Sequence, residues 1–171
     1  GFALPAAYCM ITVTKTFLPP LQEYQARLQG VWERGWVTNE GPLVMELEET
    51  LRSYLNVKHV CYVSNGTLAL QLAIRALGIQ REVLTTPFSY VATTSSLVWE
   101  HCTPVFVDID PRSLCINPEL LEVAITPATQ AIMATHVFGT PCAVESIKKV
   151  AQRHGLPVIY DAAHAFGVLY Q

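Results

Sequence analysis

The chain has no long apolar run, although 51% of its 171 residues are hydrophobic and its mean hydropathy is +0.30. No uninterrupted stretch approaches the length of about 18 residues that a membrane-spanning helix needs. A signal peptide is not expected either, because no basic residue precedes the mildly apolar start and polar sequence follows it. We therefore attribute the excess of hydrophobic residues to strands that are buried on both faces, and we expect no membrane partner.

The sequence also has no residue pattern typical of a metal site or of a nucleic-acid-binding surface. The five cysteines are scattered with no Cys-x-x-Cys pair, and no two of the five histidines have His-x-x-x-His spacing. This argues against a disulfide framework or a metal site and favours a reducing compartment, so we expect a cytoplasmic protein. The 11 basic and 14 acidic residues are spread along the chain and leave a net charge of −3. Without a basic patch, nucleic acid is not an expected partner.

The sequence is predicted to consist of three segments. Residues 1–9 precede Met10, which we take as the natural first residue, and are expected to be a non-native or upstream segment. Residues 10–56 are predicted to form a helical arm, with helical stripes at 21–32 and 43–55. In residues 57–171, segments with the apolar spacing of a strand alternate with segments that have the apolar spacing of a helix. This order is typical of an α/β domain with a mostly parallel sheet flanked by helices. The predicted strands are 59–63, 82–86, 104–107, 130–136 and 157–160, with helices at 67–77, 91–99, 118–124 and 144–154.

Polar residues follow one of these strands at 158–167, in the sequence Val-Ile-Tyr-Asp-Ala-Ala-His-Ala-Phe-Gly. Asp161 ends the apolar run, and His164 follows three positions later. Ligands of open α/β sheets bind outside the carboxyl ends of the strands, so Asp161 is well placed to contact one. The alternative interpretation is an Asp that only caps the next helix.

Two further stretches at strand ends suit a flat, phosphorylated ligand. Ser64-Asn65-Gly66-Thr67 opens a helix, and a helix N-terminus presents free N–H groups and a positive partial charge that attract phosphate. Phe88 lies on the connection after the next strand, where an aromatic side chain can stack on a ring. Taken alone, the first can be an ordinary capped helix and the second a core residue. Together with Asp161 they describe a site for pyridoxal 5′-phosphate (PLP), whose chemistry needs an acidic residue beside a protonated pyridine nitrogen.

The sequence strongly resembles the DegT/DnrJ/EryC1/StrS family of PLP-dependent nucleotide-sugar aminotransferases, from about Met10 to the end. This resemblance implies the large domain of the aspartate-aminotransferase fold (PLP-transferase fold type I), in truncated form. The matching stretches are Trp36-Val37-Thr38-Asn39-Glu40-Gly41-Pro42, Ser64-Asn65-Gly66-Thr67-Leu68-Ala69-Leu70, Thr86-Pro87-Phe88-Ser89-Tyr90-Val91-Ala92-Thr93, Pro104-Val105-Phe106-Val107-Asp108-Ile109-Asp110, Thr135-His136-Val137-Phe138-Gly139 and Asp161-Ala162-Ala163-His164-Ala165-Phe166-Gly167.

The same resemblance implies a role for individual residues. Gly66 and Thr67 would bind the cofactor phosphate, and Phe88 would stack on the ring. Asp161 would pair with the pyridine nitrogen, and His164 would lie near the phenolic oxygen. The loop with Thr38 and Asn39 borders the active site in relatives and is a candidate substrate contact.

The resemblance also implies an activity. The family branch that the sequence looks most like aminates 4-keto-6-deoxy sugars on a dTDP or similar carrier. Its members work as homodimers, and glutamate is the expected amino donor.

The chain departs from the family pattern in one important residue. Relatives carry the Schiff-base lysine a few dozen residues beyond the aspartate, in a Ser-Phe-His-x-Thr-Lys type segment, and these 171 residues do not include it. We expect none of Lys15, Lys58, Lys148 and Lys149 to replace it. The sequence is therefore expected to be the N-terminal part of the enzyme, and inactive as it stands. The alternatives are part of a PLP-dependent sugar dehydratase, or a short non-catalytic protein that binds PLP or a partner.

Overall fold

The computed structural model describes residues 14–170, so the predicted upstream segment 1–9 lies outside the described residues. The chain divides into two compact units, one that ends at Leu51 and one that begins at Arg52. The division into an arm and a domain that we expect at residues 56 and 57 stays a prediction. Within residues 14–170, no helix is long and apolar enough to cross a membrane.

The first unit contains helix α1 (Leu21–Arg34) and most of helix α2 (Pro42–Leu55). Helix α1 ends where Gly35 adopts a left-handed conformation, with φ of +64°, which glycine accepts without steric cost. The turn before α2 carries Thr38 and Asn39, both of them exposed. These two candidate substrate residues therefore belong to the first unit.

The second unit is built on a parallel sheet. Its strands are β1 (Glu82–Thr85), β2 (Thr103–Phe106), β3 (Thr129–Thr135) and β4 (Val158–Asp161). Across the sheet they are ordered β2-β1-β3-β4, and every neighbouring pair is parallel. The carboxyl ends of all four strands consequently meet at one edge. Helix α3 (Gly66–Ala76) precedes β1. The strands are connected by helices α4 (Val91–Trp99), α5 (Leu121–Ala124) and α6 (Val144–His154), with short 3-10 turns at Pro118–Leu120 and Val137–Gly139.

Each face of the sheet has its own apolar core, because successive residues of a strand point to opposite faces. One core joins the strands to α3 and α4, and the other joins them to α5 and α6. The α/β architecture with a mostly parallel sheet flanked by helices is thereby confirmed. Fully buried members are Ile74, Val83, Leu97, Ala131 and Met133 in the first core and Leu84, Leu121, Ile132, Ala134, Cys142 and Ile147 in the second.

The strand predicted at 59–63 is wrong. These residues have no regular secondary structure, and they pair with none of the four strands in the described part of the chain. Their apolar composition favours a strand, whereas a strand exists only where a neighbour accepts its backbone hydrogen bonds. The other predicted strands and helices are present, and the bounds of α4 and α6 agree with the predicted ones.

Candidate functional site

A cavity of about 350 Å³ lies at the edge where the parallel strands end. Asp161 is the last residue of β4 and Thr135 the last of β3, and the two are paired in the sheet register, so they reach the cavity side by side. The first turn of α3, the start of α4 and the residues after β4 provide the remaining walls. We call this the polar cavity; its lining includes Asn65, Gly66, Thr67, Thr135, Asp161 and His164.

The carboxylate of Asp161 is held by two donors. Thr93 of α4 donates its hydroxyl to Oδ2 at 2.7 Å, and the backbone N–H of Ala163 donates to Oδ1 at 3.2 Å. The residue is only 8% exposed, and a buried carboxylate needs such donors in place of water. Because an ionised carboxylate has about four acceptor positions, some remain free for a donor in the cavity.

The first turn of α3 leaves backbone donors free at the polar cavity. Asn65 caps the helix by accepting the N–H of Leu68 at Oδ1, at 2.9 Å. Within the described residues, the N–H groups of Gly66 and Thr67 have no acceptor. A Cβ built on Gly66 would meet no atom within 4 Å, so a ligand has open access to this part of the backbone. Such a turn is suited to an anion.

The polar cavity therefore combines groups of opposite charge. The positive end of the α3 dipole and the carboxylate of Asp161 both belong to its lining. A ligand with an anionic group at one end and a protonated nitrogen at the other would satisfy both. The first turn of α3 and Asp161 thus meet at one site, although 94 positions separate Asp161 from Thr67 in the sequence.

An aromatic cavity of about 300 Å³ adjoins the polar cavity and shares Tyr90, Thr135 and His164 with it. Phe88 and Phe138 meet edge to face there, with ring centroids 6.3 Å apart and an interplanar angle of 87°. The ring of Phe138 also stacks on His164. These side chains provide flat apolar surface beside the charged groups, as an aromatic ligand requires.

Two side chains near Asp161, those of His136 and Tyr160, carry no positive charge that would neutralise its carboxylate. His136 stacks on Tyr160 with centroids 5.0 Å apart, and its Nδ1 accepts the N–H of Cys142 at 3.0 Å. Burial lowers the pKa of His136 below its ordinary value of 6.5, against the opposing effect of the Asp161 charge. Burial also raises the pKa of Tyr160 to about 12. Both side chains are therefore neutral at pH 7 and place no positive charge beside Asp161.

The structure brings most of the predicted site residues together. Gly66, Thr67, Asp161 and His164 line the polar cavity, while Phe88 lines the aromatic cavity, to which His164 also belongs. The Thr38 and Asn39 pair lies in the other unit of the chain.

Sequence reasoning missed three residues of the site, Thr93, Thr135 and Phe138. All three lie within the sequence stretches that carry the family resemblance, so these stretches could have indicated them as site residues. Their roles depend on contacts across the sheet edge that sequence spacing does not reveal. Thr93, for example, lies 68 positions from the carboxylate that it contacts.

None of the four lysines of the chain lines either cavity. Lys15 belongs to the first unit, and Lys58 lies at a bend between α2 and α3. On α6, Lys148 is exposed and 3.9 Å from Glu145, and Lys149 is exposed as well. In the part of the chain that the structure describes, no group of three or more His, Cys, Asp or Glu side chains could hold a metal ion.

Comparison with known families identifies this arrangement. The model of the DegT/DnrJ/EryC1/StrS aminotransferase family matches residues 21–171. The chain belongs to this family. It is 48% identical over 161 residues to the dTDP-4-amino-4,6-dideoxy-D-glucose transaminase of Escherichia coli, and 41% identical over 138 residues to the GDP-perosamine synthase of Caulobacter vibrioides. The alignments cover 94% and 80% of this chain but only 43% and 37% of those relatives, so the chain spans less than half the length of either enzyme.

Solved structures of family members have the same fold. The crystal structure of DesI in the presence of its TDP-sugar product superposes with a TM-score of 0.84 at 38% identity, over 86% of this chain and 38% of DesI. The structure of NtdA from Bacillus subtilis with the cofactor PMP bound gives a TM-score of 0.82 at 33% identity, over 86% of this chain and 34% of NtdA.

Proposed function

We propose that the chain forms the PLP-binding part of a nucleotide-sugar aminotransferase. The observation that carries this proposal is that one cavity is bounded by the open first turn of α3 and by the buried carboxylate of Asp161. A phosphate at one end and a pyridine nitrogen at the other match these two groups in charge and in hydrogen bonding. The family membership supports the same cofactor, since a related structure contains PMP.

Each predicted residue has a physical role in this proposal. The free N–H groups of Gly66 and Thr67, with the Thr67 hydroxyl, hold the phosphate. The carboxylate of Asp161 keeps a proton on the ring nitrogen, and Phe88 stacks on the ring from the aromatic cavity. His164 lies beside the phenolic oxygen. When bound, PLP supplies an electron sink for the amino-group transfer.

The proposed substrate is a 4-keto-6-deoxy sugar on dTDP or a similar carrier. Support comes from the Escherichia coli and Caulobacter relatives, whose names specify a dTDP-linked amino sugar and GDP-perosamine. We further propose glutamate as the amino donor, a homodimer as the working form, a cytoplasmic location, and substrate contacts at Thr38 and Asn39. The proposal assigns the role of covalent anchor to none of the four lysines of this chain.

Titration of the chain with PLP, followed by the quenching of intrinsic fluorescence, tests the proposal. We expect saturable binding that dialysis reverses, and a loss of affinity of about tenfold in Asp161→Asn, because a charge-assisted hydrogen bond is lost. Glu145→Gln is the matched control, since it removes one negative charge from an exposed position on α6, outside both cavities. Absence of binding, or equal losses in the two variants, would contradict the proposed function.

A further inference from the structure

Thr93 and Asp161 form a direct link between α4 and the end of β4. The hydroxyl of Thr93 donates to Oδ2 of Asp161 at 2.7 Å, and both residues are buried, with 0% and 8% exposure. The other oxygen, Oδ1, accepts the N–H of Ala163. The carboxylate is thus held at each of its two oxygens by a different element of the fold.

The Thr93 side chain is itself fixed in place. It lies in the first turn of α4, three and four positions before Ser96 and Leu97, which are fully buried on the same side of the helix. Leu97 packs in the core between α4 and the sheet. Because a β-branched side chain in a helix has few χ1 rotamers, the hydroxyl has little freedom to leave Asp161.

Two donors at fixed positions decide where the remaining lone pairs of Asp161 point. A carboxylate with a single donor can rotate about χ2, whereas one with a donor on each oxygen has a defined plane. Asp161 contributes to the lining of the polar cavity, so a ligand there can reach this residue. Thr93 does not line the cavity, but its hydroxyl contacts Asp161, so its side chain can affect a ligand there through Asp161.

We propose that Thr93 is a positioning residue that aims the carboxylate of Asp161 at the ring nitrogen of PLP. This inference rests on the proposed function, because it needs a ligand whose ring nitrogen meets Asp161. It assigns a role to Thr93, which was not among the expected site residues. It also gives α4, whose Ala92 lines the polar cavity, a buried contact to the Asp161 carboxylate.

Four forms of the 171-residue chain test the inference: wild type, Thr93→Val, Thr93→Ser and Ser96→Ala. Valine keeps the shape of threonine but removes the donor, and serine keeps the donor. Ser96→Ala is the matched control, because it removes a buried hydroxyl of the same helix that bonds to the backbone carbonyls of Ala92 at 2.7 Å and Thr67 at 3.4 Å. A change at the phosphate end of the cavity affects both probes equally, so it does not alter the preference between them. The two probes are PLP and its benzene analogue, in which a carbon replaces the ring nitrogen. Affinities are compared at a temperature at which every form is folded.

We expect wild type to prefer PLP over the benzene analogue by about tenfold, the value of one charge-assisted hydrogen bond. Thr93→Val should lose most of this preference, whereas Thr93→Ser and Ser96→Ala should keep it. Retention of the full preference in Thr93→Val would overturn the inference and leave the proposed function intact. Equal affinity of wild type for the two probes, or no affinity for either, would overturn the proposed function and this inference with it.

A second measurement separates positioning from a general loss of packing. In the ligand-free chain, Thr93→Val should lower the melting temperature in the wild-type background and lower it less in the Asp161→Ala background, where no carboxylate needs a donor. Additive shifts would show that the hydroxyl and the carboxylate are not coupled and would contradict the inference.

Discussion

The rings of Phe138 and His164 are stacked almost in parallel, with their centroids 5.9 Å apart and an interplanar angle of 3°. The backbone N–H of Phe138 also donates to Nδ1 of His164 at 3.4 Å. Phe138 reaches this position in a left-handed backbone conformation, with φ of +52°. Such a conformation is unfavourable for a bulky residue and is found most often where a site requires it. The aromatic wall of the candidate site is therefore held at some cost in stability.

Replacement of Phe138 by asparagine should increase the stability of the chain and weaken its binding of PLP. Asparagine accepts a left-handed conformation, and the phenylalanine ring is largely exposed, so Phe138→Asn should raise the free energy of unfolding by about 0.5–1 kcal/mol. The same change removes the ring between Phe88 and His164 and should weaken PLP binding severalfold. Chemical denaturation and fluorescence titration measure the two effects.

His101→Asn is the control for this variant, because His101 has φ of +62° and is exposed, outside both cavities. It should gain stability in the same way without a change in PLP affinity. If Phe138→Asn bound PLP as wild type does, Phe138 would not be part of the binding site.

A negative charge at Asn65 should disturb the proposed phosphate site without unfolding the helix. Aspartate caps helices as well as asparagine does, so the bond to the N–H of Leu68 is kept and stability is maintained. The added charge lies next to the free N–H groups of Gly66 and Thr67 and repels an anion. We expect Asn65→Asp to lower the affinity for PLP about tenfold or more, with less effect in high salt.

The control for Asn65→Asp is Asn117→Asp, since Asn117 caps the 3-10 turn Pro118–Leu120 through the N–H of Glu119 and lines neither cavity. An equal loss of affinity in both variants would indicate a general effect of net charge. That result would argue against a phosphate at the start of α3.

The sheet could be predicted from the sequence wherever a strand finds its partner within the chain. The apolar runs that became β1, β3 and β4 are each buried between neighbours or helices, and so were recognisable from local sequence alone. The run at 59–63 has similar composition but no neighbouring strand in the described residues. Composition reports the preference of a segment, whereas pairing is a property of the whole fold.

The site could be predicted where a residue acts through its own position at a strand or helix end. Asp161, Gly66 and Thr67 are of this kind, because the parallel order of strands brings such ends together. Thr93 and Phe138 act through partners that are far away in sequence, and Phe138 needs a backbone conformation that its residue type disfavours. The family resemblance identified the sequence motifs that contain these two residues. Their contacts can be seen only in the folded structure.

Two buried threonine hydroxyls, Oγ1 of Thr85 and of Thr135, have no hydrogen-bond partner in the described structure. A buried hydroxyl without a partner costs about 1–3 kcal/mol, so the isosteric changes Thr85→Val and Thr135→Val should each stabilise the ligand-free chain by roughly 1 kcal/mol. Thermal or urea denaturation measures this. Thr86→Val is the contrasting variant, because Oγ1 of Thr86 accepts the N–H of Phe88 at 3.2 Å, and it should destabilise. Destabilisation by all three valines would mean that the first two hydroxyls have partners.

The stability of the chain should fall in mildly acidic solution because of His136. Burial lowers the pKa of this residue in the folded chain below the 6.5 that it has when unfolded. As the pH falls below about 6.5, the unfolded chain takes up a proton that the folded chain resists, so the free energy of unfolding decreases until the pH reaches the folded pKa.

The contribution of one such group has a limiting slope of about 1.4 kcal/mol per pH unit. Asparagine at position 136 can still accept the N–H of Cys142, which bonds to Nδ1 of the histidine, but it does not titrate. We therefore expect urea denaturation between pH 5 and pH 7 to give a flatter profile for His136→Asn than for wild type. Identical slopes for the two proteins would mean that the buried imidazole is not the group that couples folding to protonation.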